Sequence, residues 1–381
     1  MRVKAFLHKL LLPVMHKKRL NTLIILVNAL FISKKLSLTG LGRNLDHSSS
    51  ILERSGIRKV DRFLGNKKLE LKSIYQSYIL SVIGSQKRPN IIIDWSQIPN
   101  TAYYLLRATL ASEGRGLTLY EEVHPKDKLG NPALQRQFLN TLKAFLPSEC
   151  IPIIITDAGF CNPWFKHVLK LKWDFIGRVR GLHTYYDGQS WKSCKLLHQL
   201  ASIKAKSIND VILCKRESIL LNLVLIKSKL KNMSRNFKRK RGGGKDVGYY
   251  RGAAKEPWVL ATSLKENLVN AKKIVKLYKL RMQIEEGFRD LKYGFDLRHA
   301  YSKIKERIQI LLLIGMFATL IASLAGYIAE KNNWHFKFQT NSIKSRRVLS
   351  WFFLGCRIIK QKIKIGSQAI NKALYELQTF F

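Results

Sequence analysis

Asn90-Ile-Ile-Ile-Asp94-Trp95 and Ile151-Pro-Ile-Ile-Ile-Thr-Asp157-Ala-Gly-Phe160 are the two stretches on which the fold turns. Each is a short β-branched run closing on an aspartate, the pattern of a buried strand with a carboxylate at its end. Ala108 to Tyr120, with Glu121, Glu122 and Val123, reads as a further strand bounded by Gly114 and Gly116. Pro132 to Leu146 has helical character, and a helical stretch around Trp164 to Leu171 leads to another strand, Trp173-Asp-Phe-Ile-Gly-Arg-Val-Arg180. Strands and helices in alternation predict an α/β fold.

Outside this core the chain is basic. Its 381 residues carry 68 Lys+Arg against 25 Asp+Glu, a formal charge of +43. An excess of that size points to a polyanionic partner, either nucleic acid, whose condensed counterions are released on binding, or an anionic membrane surface. Intrinsic disorder is excluded by 46% hydrophobic and 10% aromatic residues with only 9 Pro. Cys150, Cys161, Cys194, Cys214 and Cys356 form no CxxC pair, so neither a zinc knuckle nor a disulfide framework is expected. His124, His167 and His183 likewise lack zinc spacing and read as structural or surface histidines. The short apolar run Leu10 to Met15 meets His16-Lys-Lys-Arg19 at once and has no small-residue cleavage site, which argues against an export signal and for a cytoplasmic, nucleoid-associated protein.

Residues 1–85 read as short basic helices separated by Gly and Ser turns, with arginines among apolar residues around Arg58 to Leu64, a pattern suited to a helical DNA-binding module. Residues 86–180 hold the first part of the α/β core. From 181 to 257 the pattern loosens into short strands and a basic, glycine-rich loop from Lys229 to Lys245 that includes Lys238, Arg239, Lys240 and Arg241. That loop lacks the Gly-Lys-Ser/Thr ending of a phosphate-cradling P-loop, and its cations suit sequence-independent contact with DNA. Trp258-Val-Leu-Ala-Thr-Ser reopens the core as a strand, and helix dominates from there to about 330. Ile310 to Ala329 is long and apolar enough to span a bilayer, but Gly315, Gly326 and several alanines dilute it, and a buried core helix is the expectation. Residues 331–381 form a basic C-terminal segment, a candidate for dimerisation.

Chemistry has few acids to draw on. Asp94 and Asp157, at the ends of two strands, are candidate hard-oxygen ligands for Mg²⁺, although either could serve as a capping aspartate. On a helix expected from Ala271 to Tyr293, Tyr278, Arg281, Glu285 and Lys292 are spaced by 3, 4 and 7 and share a sector of roughly 60°. A solvated face with an Arg281/Glu285 pair would look the same.

The Tyr-x2-Arg-x3-Glu-x6-Lys spacing of those four residues resembles the signature of the insertion-sequence-four family of bacterial DDE transposases. The resemblance extends in order through Ile91 to Ser96, Leu117-Thr-Leu-Tyr-Glu-Glu-Val-His124, Thr156-Asp157-Ala-Gly-Phe160, Gly177-Arg-Val-Arg-Gly181 and Pro257-Trp258-Val-Leu-Ala-Thr262. It implies an RNase H-like core interrupted by a β-rich insertion, with Asp94, Asp157 and Glu285 as a catalytic triad holding two Mg²⁺ ions, for which Mn²⁺ can substitute. Tyr278, Arg281 and Lys292 would grip phosphates. Trp258 would stack on a base turned out of the duplex, unless it is simply a core tryptophan opening a strand. The implied partners are double-stranded DNA, as element ends and target, and a second copy of the chain in a paired-end complex; no membrane is expected. A nuclease without strand transfer would keep the same triad, and a non-catalytic DNA-binding or membrane-attached protein would show no metal-dependent cutting.

Overall fold

The computed structural model describes residues 3–45, 52–181, 183–227, 256–265, 269–340, 342–343 and 345–378. Lys238, Arg239, Lys240 and Arg241 lie outside the described residues. In chain order the helices and strands are α1 (Val3–Leu11), α2 (Lys17–Ser33), α3 (Leu38–Gly42), α4 (Glu53–Leu64), α5 (Leu71–Ile83), β1 (Asn90–Gln97), β2 (Tyr103–Leu110), β3 (Leu117–Pro125), α6 (Pro132–Phe145) and β4 (Ile153–Thr156). They continue with α7 (Asn162–Lys170), β5 (Asp174–Val179), β6 (Thr184–Tyr186), β7 (Trp191–Ser193), α8 (Leu197–Leu200), β8 (Lys206–Leu213), β9 (Ile219–Ile226) and β10 (Trp258–Thr262). The last are α9 (Ala271–Lys279), α10 (Met282–Arg289), α11 (Lys305–Lys331), α12 (Trp351–Lys360) and α13 (Ser367–Gln378).

Two compact units divide the chain: Met1–Cys150 with Met282–Phe381, and Ile151–Arg281. In the first, β1, β2 and β3 form an antiparallel meander with β2 in the middle. Ile91, Ile92 and Ile93 are fully buried, which explains a β1 sequence that is apolar on both faces. The run from Ala108 to Val123 is therefore two strands. The chain reverses through Ser112-Glu-Gly-Arg-Gly116, where Gly114 adopts φ +85, and β3 returns alongside β2. β1 also runs on past Asp94 to Gln97, because Leu106, Leu105 and Tyr104 of β2 continue to pair with it, so Asp94 lies within its strand.

The core of this unit is α11. Ile310 to Ala329 is buried at every position but Thr319, whose hydroxyl donates to the Gly315 carbonyl (2.8 Å). α2, α12 and β3 pack around it. Gly326 is where α12 crosses: a Cβ there would run into the Trp351 backbone, and one at Gly355 would run into that of Ala322.

In the second unit β4 and β5 are parallel, joined by α7, and β10 pairs antiparallel with both β5 and β9. β8 and the short β6 and β7 extend the sheet beyond β9. The helix expected from Ala271 to Tyr293 is interrupted. The N–H groups of Leu280 and Arg281 reach back only three residues, to Leu277 and Tyr278, closing α9 before α10 begins, and α10 ends in a π-turn over Asp290–Gly294. The break coincides with the boundary between the units.

Candidate active site

Within the first unit, antiparallel register aligns Asp94 of β1 with Arg107 of β2, and Arg107 with Glu121 of β3, so the three side chains leave one face of the meander. Arg107 is 3% exposed; its Nε and Nη2 both donate to Glu121 Oε2, at 2.9 and 2.8 Å. Burial pushes the Glu121 carboxyl upward and the Arg107 charge opposes that shift. The backbone N–H of Trp95 donates to Asp94 Oδ1 (2.8 Å), and Asp94 is half-buried.

α10 lies against β1 and carries Glu285, also half-buried. Phe288, three residues on, puts its ring under the Arg107 guanidinium, 4.6 Å from centroid to Cζ. Lys292 Nζ donates to Ser96 Oγ (2.7 Å), two residues along β1 from Asp94 and on the same face. Burial, and after it the Arg107 charge, lowers the tendency of Lys292 to hold its proton. The helix is tied at a second place to the β2–β3 turn. Ser112 N–H donates to Gln283 Oε1 (3.0 Å) while Gln283 Nε2 donates to Ser112 O (2.6 Å). Arg115 then bridges Glu286 and Asp290, its Nε standing 2.9 Å from Asp290 Oδ2. Burial drives the Asp290 carboxyl up to about 6 against the pull of Arg115.

The second unit gathers the other half of the predicted residues. Asp157 follows β4 directly, and its Oδ1 accepts from the Gly159 N–H (2.8 Å), which fixes the turn after the strand. Tyr278 is 3% exposed and meets the Trp258 indole edge-to-face, centroids 5.0 Å apart. Burial pushes the Tyr278 phenol up to about 12; Arg281 and Arg178 draw it down and Asp157 pushes it further up, so these groups share one neighbourhood. Arg178 of β5 donates to Glu256 (3.0 Å), which Arg180 also approaches at 3.4 Å. Trp258 is half-buried at the first position of β10.

The four-residue stripe is thus shared between the units: Tyr278 and Arg281 in one, Glu285 and Lys292 in the other. Helical arithmetic across the whole span does not hold, because of the break at Leu280–Arg281 and the π-turn. Sequence reasoning did not single out Arg107, Arg115 or Gln283, and it quoted Arg178 and Arg180 only as part of the Gly177–Gly181 strand, without a role of their own. A signal existed for Arg107 and Glu121, since each is a charge inside an apolar strand, and such a charge needs a partner. His124 is bonded to Glu122 (2.7 Å) and His183 to Cys214 Sγ (3.2 Å).

A family model, the transposase DDE domain, matches residues 85–321. The chain belongs to the DDE transposases. No curated protein matches it. The matched span runs from just before β1 into α11 and includes Asp94, Asp157, Trp258 and all four stripe residues. A DDE transposase acts on DNA and uses divalent metal ions, and carboxylates are the hard donors such ions take. Among the described residues, no three His, Cys, Asp or Glu side chains form a group that could hold a metal ion.

Proposed function

We propose that this DDE transposase serves an insertion sequence of the insertion-sequence-four group, binds the terminal inverted repeats of its element and moves it by cut-and-paste cleavage and strand transfer. The observation that carries this reading is the cluster in the second unit. A buried phenol, an indole and the guanidiniums of Arg281 and Arg178 collect at the turn that presents Asp157, which places phosphate- and base-gripping groups beside a carboxylate. An RNase H-like core is supported by the β3-β2-β1 meander in one unit and the parallel β4–α7–β5 crossover in the other.

The side chains divide the work. Arg281 and Lys292 hold phosphate oxygens of the strand that is not transferred, the guanidinium by paired donors and the ammonium as a point charge, whereas Tyr278, expected to share that grip, is buried and acts through the Trp258 ring instead. Trp258 offers its indole to a base turned out of the duplex, and Tyr278 fixes the ring from its edge. α4 supports end recognition by the N-terminal module: Gly56, Val60, Phe63 and Leu64 face inward, while Arg54, Arg58, Lys59 and Arg62 stay exposed. Although no three acids among the described residues form a ready-made metal group, Asp94, Asp157 and Glu285 are the proposed ligands of two Mg²⁺ ions, which would supply an activated attacking oxygen and charge stabilisation for the leaving one. Two copies of the chain, with the C-terminal segment contributing, would pair two element ends.

Glu285→Gln tests the assignment. The carboxylate serves metal and not DNA, so the variant should lose Mg²⁺-dependent end cleavage while its affinity for end DNA stays within about twofold of wild type. Wild-type cleavage by that variant would sink the triad.

A further inference from the structure

One face of α9 has no place in the reading above. Tyr278 points inward with Ala271, Ile274 and Val275, whereas Lys272, Lys273, Lys276 and Lys279 are exposed. At about 100° per residue, Lys272, Lys276 and Lys279 share a stripe roughly 60° wide. A rise of about 1.5 Å per residue spreads them over about 10 Å along the axis. With Lys204, from the chain that enters β8, they line an open groove of about 840 Å³ whose floor includes Ile203, Ile226 and Val275.

The chemistry of this groove is one-sided. Five lysines line it among the described residues, and no aspartate or glutamate does. None of the five makes an ion pair with a described residue. α9 also has no acid in its first turn, where the helix dipole would favour one, and Lys272 and Lys273 stand there instead. Clustered cations at a helix N-terminus repel one another and the dipole, so the arrangement is relieved when an extended anion lies across it. Asn270, the one amide in the lining, spends its side-chain oxygen on the Lys273 N–H as a cap (3.0 Å). That leaves no planar donor–acceptor group to read a base edge.

We infer that this groove is a track for the sugar–phosphate backbone of duplex DNA, held without regard to sequence, with the lysine stems lying over the apolar floor and their ammonium groups on consecutive phosphates. The inference rests on the DNA-processing reading but not on the triad. Its place on the helix that leads into Arg281 makes it an extension of the proposed grip at that residue into DNA beyond the recognised end.

The test uses the full chain and a 30-base-pair duplex unrelated to the element ends. Triple substitution Lys272→Gln, Lys276→Gln, Lys279→Gln should lower the slope of log affinity against log salt by about 2 to 3, since each phosphate contact contributes about 0.9. Metal-dependent cleavage of a pre-bound end should persist. A control of equal charge, Lys126→Gln, Lys128→Gln, Lys143→Gln, removes three exposed lysines of the other unit and should leave the slope within 1 of wild type. An unchanged slope in the groove variant, or an equal fall in both, overturns the inference. Failure of the DNA-processing reading would look different: wild-type protein itself would neither bind duplex nor cut it.

Discussion

Arg107 and Glu121 show what a single residue contributes here. Two charges removed from water recover their desolvation only through each other, and truncating one strands the other. Arg107→Ala should therefore cost about 3–5 kcal/mol in urea unfolding. Arg107→Met with Glu121→Leu, which removes both charges and fills the space, should restore most of that loss. If the double variant is no better than the single, the pair is not the source of the cost. Asp290 makes a second residue-scale case. Its folded carboxyl titrates at about 6, above the usual value near 3.8, so the folded state holds a proton that the unfolded state releases earlier. The stability this gives is complete below about 4 and is lost as the pH rises through about 6. Asp290→Asn keeps an acceptor for Arg115 and cannot ionise, so its melting temperature should overtake that of wild type between pH 4 and 7. A constant offset across that range would refute the titration. Neither site was legible beforehand in full. Asp94, Asp157 and Glu285 stand out because acids are scarce and two of them close apolar runs, whereas Arg107 acquires meaning only from Glu121, Phe288 and a strand register that no local pattern reports.

Elements were read well where burial is continuous and poorly where the chain turns without an obvious breaker. β4, α6 and α11 follow their apolar patterns almost to the residue. The hairpin at Ser112 to Gly116 was hidden because strand-forming residues flank its glycines on both sides, and the left-handed Gly114 alone marks the reversal. The break after α9 has no Pro or Gly at all; three-residue hydrogen bonds at Leu280 and Arg281 make it, and the aligned stripe expected of Tyr278 to Lys292 dissolves with it. Gly326 had a different fate. In the sequence it merely diluted an apolar run, while in the fold it admits the α12 backbone. Alanine there gains up to about 1 kcal/mol of helix propensity, but forcing the crossing apart costs about 1–3 kcal/mol or more. Gly326→Ala and Gly355→Ala should both lower the melting temperature, and Gly366→Ala, where a Cβ meets nothing within 4 Å, should leave it nearly unchanged. Equal effects at all three positions would mean that the close crossing is not what the glycines serve.

Across the whole molecule, the proposed binding and chemistry draw on opposite pools of charge. The proposed grip draws on cations of both units, from Arg54, Arg58 and Arg62 on α4 to the lysines of α9, whereas the proposed chemistry draws on three of 25 acids. The charge of +43 thus has a specific consequence beyond attraction to DNA: affinity should be nearly indifferent to metal, because the proposed grip on phosphate uses ammonium and guanidinium groups, while turnover should depend on metal entirely. Chelation of divalent ions should leave end-DNA affinity at constant ionic strength within about twofold and reduce cleavage to background, and Mg²⁺ or Mn²⁺ should restore it. Each added ion also competes as a counterion, so restoration must be read as a rate on pre-bound DNA and not as a change in occupancy. Cleavage that survives chelation would remove the three carboxylates from the chemistry. Affinity that collapses with chelation would instead show that metal bridges protein and phosphate, and that the cations of both units play a smaller part in holding DNA than their number suggests.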